Sequence, residues 1–332
     1  MKESVCAALI LGLVWAGLVL LSAPARALPP EPETGAASEA APETPPSDEP
    51  ETEPAEAAGF DRGFRLPVLR DGQTVSMDLH DYLTGVLLGE VPAGFAPEAL
   101  KAQAVASRTY ALYGYAHRRH GGAAVCTEPG CCQAWRDPAA ADPAALAAAE
   151  AAVSETDGLA IYYRDKLIEA TFFSCSGGRT EAAAAVWGSD LPYLQAVDSP
   201  GEEDSACFTD ELRVPEAEFR ETLLREDPAV VFPAEKGAWV GAISRTPGGG
   251  VDRIELGGRP FTGTRIRSLF GLRSTAFALR LTETEAIFST RGYGHRVGMS
   301  QYGAQAMAEA GADFTEILEH YYQGVSISSA CE

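Results

Sequence analysis

Near residue 58 the chain changes from a polypeptide that cannot bury a core to one that can. From Leu28 to about Ala58 it is built mainly from Pro, Glu, Ala, Thr and Ser, with no lysine, arginine or aromatic residue. Such a segment lacks the apolar surface needed to offset the entropy of ordering, so residues 28–58 are expected to be a disordered acidic linker biased to extended conformations by its prolines. Ahead of it, MKESVCAALILGLVWAGLVLLSAPARA sets one lysine before an apolar run from Val5 to Leu21 and ends in Ala25-Arg26-Ala27. This is the pattern of an export signal. Because about 20 apolar residues span the hydrocarbon core, an uncleaved anchor competes with cleavage after Ala27. The expected location is therefore extracytoplasmic, tethered to the cell membrane by the anchor, or secreted if the signal is cleaved. Cys6 sits at the start of the apolar run and not behind it, the wrong place for a lipid-modified cysteine, and reads as part of the span.

The fold must then lie in residues 59–332, roughly 270 residues, ample for one large or two small cores. Phe64–Leu69 and Thr74–Leu79 flank an Asp71-Gly72 turn signal, as a hairpin does. A helix is expected from near Asp81 to Gly89 and Glu90, and a second from Pro97, a preferred first helical residue, through ALKAQAVASRTYALYGYAHR. In the second, Lys101, Ala104, Arg108 and Ala111 share one face, expected as a polar, cationic stripe beside Glu90, while Leu100, Val105 and Leu112 serve the core. Asp142-Pro143 opens an alanine-rich helix, LAIYY and LIEATFF read as strands, and residues 238–290 alternate strand patterns with one short helix. Two helices close the chain, about Ser300–Glu309 and Phe314–Tyr322. Helices and strands intermix without regular alternation, so the class is α+β, with antiparallel strands in one compact region. A formal charge of -21 and the absence of a basic stripe argue against a nucleic-acid binder.

Several constellations carry possible chemistry. Glu90 sits at a helix end before Val91-Pro92, which forces a break, and apolar neighbours Leu87, Leu88 and Val91 would raise its pKa. Ser174, Ser176, Gly177, Gly178 and Thr180 form a small polar loop after a strand; it serves either close approach of backbone to a ligand or simple chain reversal. His295, Ser300, Gln301 and Tyr302 occupy a Gly-rich segment, with His295 either a structural hydrogen-bonding residue or a ligand-binding one. His120, Cys126, Cys131 and Cys132 supply four nitrogen and sulfur ligands in a short loop, enough for a structural zinc; a disulfide from Cys126 to Cys131 or Cys132 is the alternative in an oxidising compartment. His117 points from another side of its helix. Cys175, Cys207 and Cys331 have no assigned partner.

The segments YLTGVLLGEVPAGFAPEALKAQAVASRTYAL, SCSGGRTEAAAAVWGSDLPYLQAVDS, RIRSLFGLRST and RGYGHRVGMSQYGAQAMAEAGADFTEILEHYYQG, in this order, resemble the stage II sporulation protein D family over most of residues 60–327. The resemblance implies that Glu90 is the catalytic acid of a lytic transglycosylase, cutting peptidoglycan glycan strands between N-acetylmuramic acid and N-acetylglucosamine with formation of 1,6-anhydromuramyl ends. It further implies a preference for strands stripped of stem peptides, a setting in endospore engulfment, and partnership with a stage II sporulation amidase and a membrane scaffold. A non-catalytic amidase enhancer is the other role known among such proteins. On this reading Lys101, Gln103, Ser107, Arg108, Ser174, Ser176, His295, Ser300, Gln301 and Tyr302 are substrate-binding candidates. Zinc, bound at matching positions in some members, would be held by His120, Cys126, Cys131 and Cys132, with Cys131 in place of a histidine. The family usually has glycine after the histidine of the last segment; Arg296 stands there in this chain and is expected to add a cation facing the ligand.

Overall fold

The computed structural model describes residues 59–330. The export signal with Cys6, the acidic linker up to Ala58, and Cys331 lie outside the described residues. Among the described residues no helix is long and apolar enough to cross a membrane.

A short helix α1 (Phe60–Gly63) leads into the expected hairpin of β1 (Arg65–Arg70) and β2 (Gln73–Asp78), paired antiparallel from Arg65↔Asp78 to Arg70↔Gln73. The turn requires left-handed backbone at Asp71 (φ 50°) and Gly72 (φ 77°), which aspartate and glycine tolerate best. Helix α2 (Leu79–Glu90) begins earlier than expected, because Asp78 and not Asp81 caps it, accepting from His80 N. Helix α3 (Pro97–His117) opens at Pro97 as expected. After it come β3 (Val125–Cys126), parallel to β1, and α4 (Pro143–Glu155), capped by the Asp142 carboxylate on Ala144 N and Ala145 N. The expected strand LAIYY forms β4 (Leu159–Tyr163), but LIEATFF is interrupted into β5 (Lys166–Leu167) and β6 (Phe172–Phe173), and α5 (Ala183–Trp187) follows.

The chain then builds a smaller apolar cluster. Strand β7 (Thr209–Pro215), α6 (Glu216–Glu226), β8 (Val240–Arg245), β9 (Val251–Leu256), β10 (Arg259–Thr262), α7 (Gly263–Phe270), β11 (Phe277–Leu281) and β12 (Glu285–Arg291) make two three-stranded antiparallel sheets, β10-β9-β8 and β11-β12-β7. Phe219, Phe288, Ile254 and Ile266 are fully buried between them. Strand β13 (Met299–Ser300) returns to the larger core beside β6 in parallel, with Phe172↔Met299 and Phe173↔Ser300. Helices α8 (Gln301–Glu309) and α9 (Phe314–Tyr321) and strand β14 (Ser326–Ser329), antiparallel to β4, complete the chain. The architecture is α+β; the strands are mostly antiparallel, with the two short parallel pairs β1–β3 and β6–β13 as additions to the expectation.

Helix α3 organises the larger core. From Ala99 to Leu112 every residue except Lys101 is buried, so this stretch of helix is enclosed on nearly all sides and not amphipathic, as a run rich in alanine permits. That corrects the expected solvent-facing stripe. Arg108 is fully buried, its guanidinium donating to Asp61 (Nε to Oδ1, 2.8 Å; Nη2 to Oδ2, 2.5 Å) and to the carbonyls of Leu159 (3.1 Å) and Val153 (3.2 Å). Gln103 and Ser107 are buried too and bond to each other at 3.0 Å. Lys101 reaches the surface but lies between Glu98 (2.9 Å) and Glu155 (2.7 Å). Arg108 and Lys101 tie α3 to its neighbours, while Gln103 and Ser107 are closed off inside the core.

Arg108→Ala would leave the Asp61 carboxylate buried without its partner and is expected to destabilise the protein by about 3–5 kcal/mol, read from the urea midpoint. A loss near zero would show that the pair does not hold α1, α3 and α4 together.

Candidate functional site

The site assembles where α2 ends. Helical backbone stops at Glu90 because Pro92 disfavours helical geometry at Val91, which is extended (φ -122°, ψ 148°). The break leaves the Glu90 carboxylate facing the loop that follows the cysteines. Oε1 accepts from Ala134 N at 2.5 Å and Oε2 from Gln301 Nε2 at 3.2 Å. Segments separated by 211 residues in sequence thus meet on one carboxyl. Approach this close needs the glycine before it: a Cβ at Gly89 would lie 2.8 Å from the Ala134 carbonyl carbon and oxygen.

Burial pushes the Glu90 carboxyl above the usual carboxylate range, and the two donors partly offset this by favouring the ionised form. A raised carboxyl with two directed donors has the means both to give up a proton and to be stabilised once it has done so. Tyr302 follows Gln301 and sets its ring edge-on to Phe95 at 5.3 Å, and Ala96 N donates to Gln305 Oε1 at 2.7 Å. Helix α8 is therefore fastened to the segment between Glu90 and α3, which positions Gln301. Ser300 caps α8, accepting from Gly303 N at 3.3 Å.

The other candidates are distributed differently. Ser174 contributes its carbonyl, which accepts from Tyr302 N at 3.0 Å and Ser300 Oγ at 3.4 Å. Ser176 is fully buried, and its hydroxyl accepts from Gly178 N at 2.9 Å. Buried Glu202 accepts from Ser176 N at 2.7 Å and Gly177 N at 3.2 Å. That loop is held from within, so the expectation that the Ser176 side chain meets a ligand is corrected to an internal role. His295 Nδ1 accepts from Val297 N at 3.1 Å, and its ring lies 5.6 Å from Phe173 and 5.3 Å from Trp187. Burial, then the Arg267 charge, lower its pKa to about 4, so it is neutral at physiological pH.

Arg296 is also not the exposed cation that the sequence suggested. It is 2 % exposed and takes left-handed backbone (φ 66°), where glycine is the easy residue. Its guanidinium donates to the carbonyls of Ser176 (2.7 Å), Arg179 (2.6 Å) and Gly248 (2.8 Å) and to Glu181 (3.3 Å). Glu181 in turn accepts from Gly250 N at 2.9 Å. The arginine closes the polar loop and fastens the β8–β9 turn to it, four bonds that offset its backbone strain.

The cysteine loop converges as a ligand set. One side-chain atom each from His120, Cys126, Cys131 and Cys132 lies within 4.8 Å of all the others. His120 Nε2 is 3.1 Å from Cys132 Sγ and 3.8 Å from Cys131 Sγ. Tetrahedral zinc with bonds of about 2.0–2.3 Å needs ligand atoms roughly 3.5–3.8 Å apart, so these donors fit it with small adjustments. The thiols are free, and His117 lies elsewhere, stacked on Tyr113 at 3.9 Å. Ala134 follows two residues after Cys132, and Trp135 covers Gly85 so closely that a Cβ there would meet its Nε1 at 2.1 Å. The loop that gathers the ligands is thus the loop that supplies the Glu90 donor. Sequence reasoning had no signal for Ala134, since any residue but proline offers the same amide.

A family model described as Stage II sporulation protein matches residues 71–163. The chain is 37 % identical over 269 residues to the stage II sporulation protein D of Bacillus amyloliquefaciens, covering 77 % of this chain and 75 % of that one. It is 35 % identical to the protein of the same name from Bacillus subtilis strain 168, covering 80 % and 79 %. The amidase enhancer of Bacillus subtilis is 26 % identical, over 74 % of this chain and 40 % of that protein.

Gln301→Ala removes a donor that favours the carboxylate, so the Glu90 titration should move to higher pH. Carbon-13 NMR of the labelled glutamate carboxyl measures this directly; a downward shift would contradict the assigned contact.

Proposed function

Since the chain belongs to the stage II sporulation protein D family, we propose that it is a lytic transglycosylase of the cell wall with Glu90 as its proton carrier. The observation that supports this most is the pairing of a burial-raised Glu90 carboxyl with the Ala134 amide and Gln301. Protonated Glu90 gives its proton to the glycosidic oxygen between N-acetylmuramic acid and N-acetylglucosamine as the bond from that oxygen to the muramyl C1 breaks. The two donors stabilise the carboxylate that results. The muramyl C6 hydroxyl then closes on C1 and its proton passes to Glu90, which regenerates the acid and consumes no water. A single carboxyl suffices, where ordinary glycoside hydrolysis uses two. The products are an N-acetylglucosamine end and a 1,6-anhydromuramyl end.

The same reading sets the enzyme outside the cytoplasm on an N-terminal anchor, or secreted after cleavage behind Ala27, with denuded glycan as substrate during endospore engulfment. A stage II sporulation amidase that strips the glycan and a membrane scaffold are its proposed partners. His120, Cys126, Cys131 and Cys132 are proposed to hold one structural zinc. Four protein ligands leave it no position for water, so its contribution is to brace the loop that presents Ala134 N to Glu90. The relative named amidase enhancer supports a second reading, a non-catalytic module that binds glycan and assists an amidase.

Glu90→Gln should remove the anhydromuramyl ends formed from denuded glycan, a loss on the order of 10²–10⁴-fold for a general acid, while glycan binding persists. Wild-type protein that is folded, binds glycan and never yields such ends would favour the enhancer reading. Metal analysis is expected to find one zinc per chain, lost together with a lowered melting temperature in Cys132→Ser. Protein without zinc whose thiols resist alkylation would point to the disulfide instead.

A further inference from the structure

A group of side chains that connects to Glu90 through the β6–β13 pairing is left unused by the proposed chemistry. Trp187 ends α5, and Gly188 in left-handed backbone (φ 73°) turns the chain away after it. The indole is left 42 % exposed, one of few large apolar side chains so placed among the described residues. Its ring is 5.3 Å from that of His295 at 55°, and the neutral His295 rests in turn on Phe173. Phe173 is the register partner of Ser300, whose neighbour Gln301 holds Glu90. The aromatic group therefore reaches the acid through a continuous series of contacts.

Arg267 of α7 is set against the His295 segment, because Leu272, which Arg267 holds, is followed by Arg273, whose carbonyl accepts from Gly294 N at 3.0 Å; the charge of Arg267 depresses the imidazole. It is only part-exposed, and burial works against its own charge. Its Nε donates to Leu272 O at 3.2 Å, yet among the described residues it has no carboxylate partner. The other arginines taken out of water are paired: Arg108 with Asp61, Arg119 with Glu169 and Arg296 with Glu181. A desolvated guanidinium without an anion is costly, and the two terminal nitrogens that remain form a planar fork suited to a carboxylate. In a chain of formal charge -21, the net field opposes an anionic ligand, so a local cation of this kind decides where one can settle.

We infer that Trp187 and Arg267, both set against His295, form a subsite for a muramyl residue whose lactyl carboxylate is free. This deepens the glycan-cleaving reading and rests on glycan being the ligand, though not on its being cut. The indole packs on the C–H face of the sugar ring by burial of apolar surface. The guanidinium pairs with the lactyl carboxylate, a charge that exists only once the stem peptide has been removed, because the peptide bond converts it to a neutral amide. Selection for stripped glycan thereby has a physical cause in one charge. Arg108, expected from the sequence among the substrate-binding residues, is already occupied by Asp61.

The test uses full-length Glu90→Gln protein in mild detergent, so that ligand is bound and not consumed, with calorimetric titration of three probes. These are a denuded tetrasaccharide of alternating N-acetylglucosamine and N-acetylmuramic acid, the same tetrasaccharide with stem peptides, and chitotetraose, which lacks the lactyl group. Adding Arg267→Gln should weaken the denuded probe by about tenfold or more while chitotetraose changes by less than about twofold. Arg267→Lys, which keeps the charge, should recover part of the loss. Trp187→Ala should weaken all three probes, and melting curves verify that each variant is folded. Equal effects of Arg267→Gln on the denuded probe and chitotetraose, or none on either, would overturn the subsite. Failure of the wild-type chain to make anhydromuramyl ends would sink the enzymatic reading while leaving this binding pattern to be judged separately.

Discussion

The larger core is built around the helix from Pro97 to His117, whose residues from Ala99 to Leu112 are buried except at Lys101. Its alanines let neighbouring elements approach, and the fully buried Arg108 answers the approach with a carboxylate from Asp61 and carbonyls from Val153 and Leu159. One guanidinium thus joins the first helix of the described chain, the alanine-rich helix and a sheet strand around a common axis. The loops at the ends of that axis carry the chemistry.

Two such loops converge on Glu90, one behind the cysteines and one at the start of α8. The arrangement sets opposing effects on a single carboxyl. Burial favours the neutral acid, and the Ala134 amide and Gln301 favour the anion. A group that must alternate between the two states needs neither to dominate completely. The proximity of the His120, Cys126, Cys131 and Cys132 cluster gives the loop a reason to be rigid, since Ala134 can help only if its amide is held in place. Arg296 performs a comparable service on the other side, accepting backbone strain to bind the polar loop to the β8–β9 turn.

Legibility of the site in sequence followed the kind of atom involved. Glu90, Gln301, His295 and the metal-type ligands stand out because few other residue types supply their side-chain chemistry, and the segments that contain them resemble a known family. The polar residues of α3 misled for a physical reason. Helical spacing tells which side chains share a face but not whether that face is covered, and here Gln103, Ser107 and Arg108 are all buried. Arg296 misled similarly, because an arginine in place of glycine suggests a surface cation until its four internal acceptors are seen. Trp187 and Arg267 drew no attention individually; exposure in one and lack of a partner in the other are properties of position.

By itself, the sequence determined that the class is α+β, that Asp71-Gly72 turns a hairpin, that Pro97 starts a helix, and that Glu90 ends one. These follow from local physics: composition, backbone restriction and periodicity act within a few residues. Only the tertiary structure decided that Ala134 N and Gln301 meet on Glu90, that Arg108 faces Asp61, and that Arg296 points inward. Each of these depends on contacts between distant segments, where the identity of a partner is set by packing and by the need to satisfy every buried polar group.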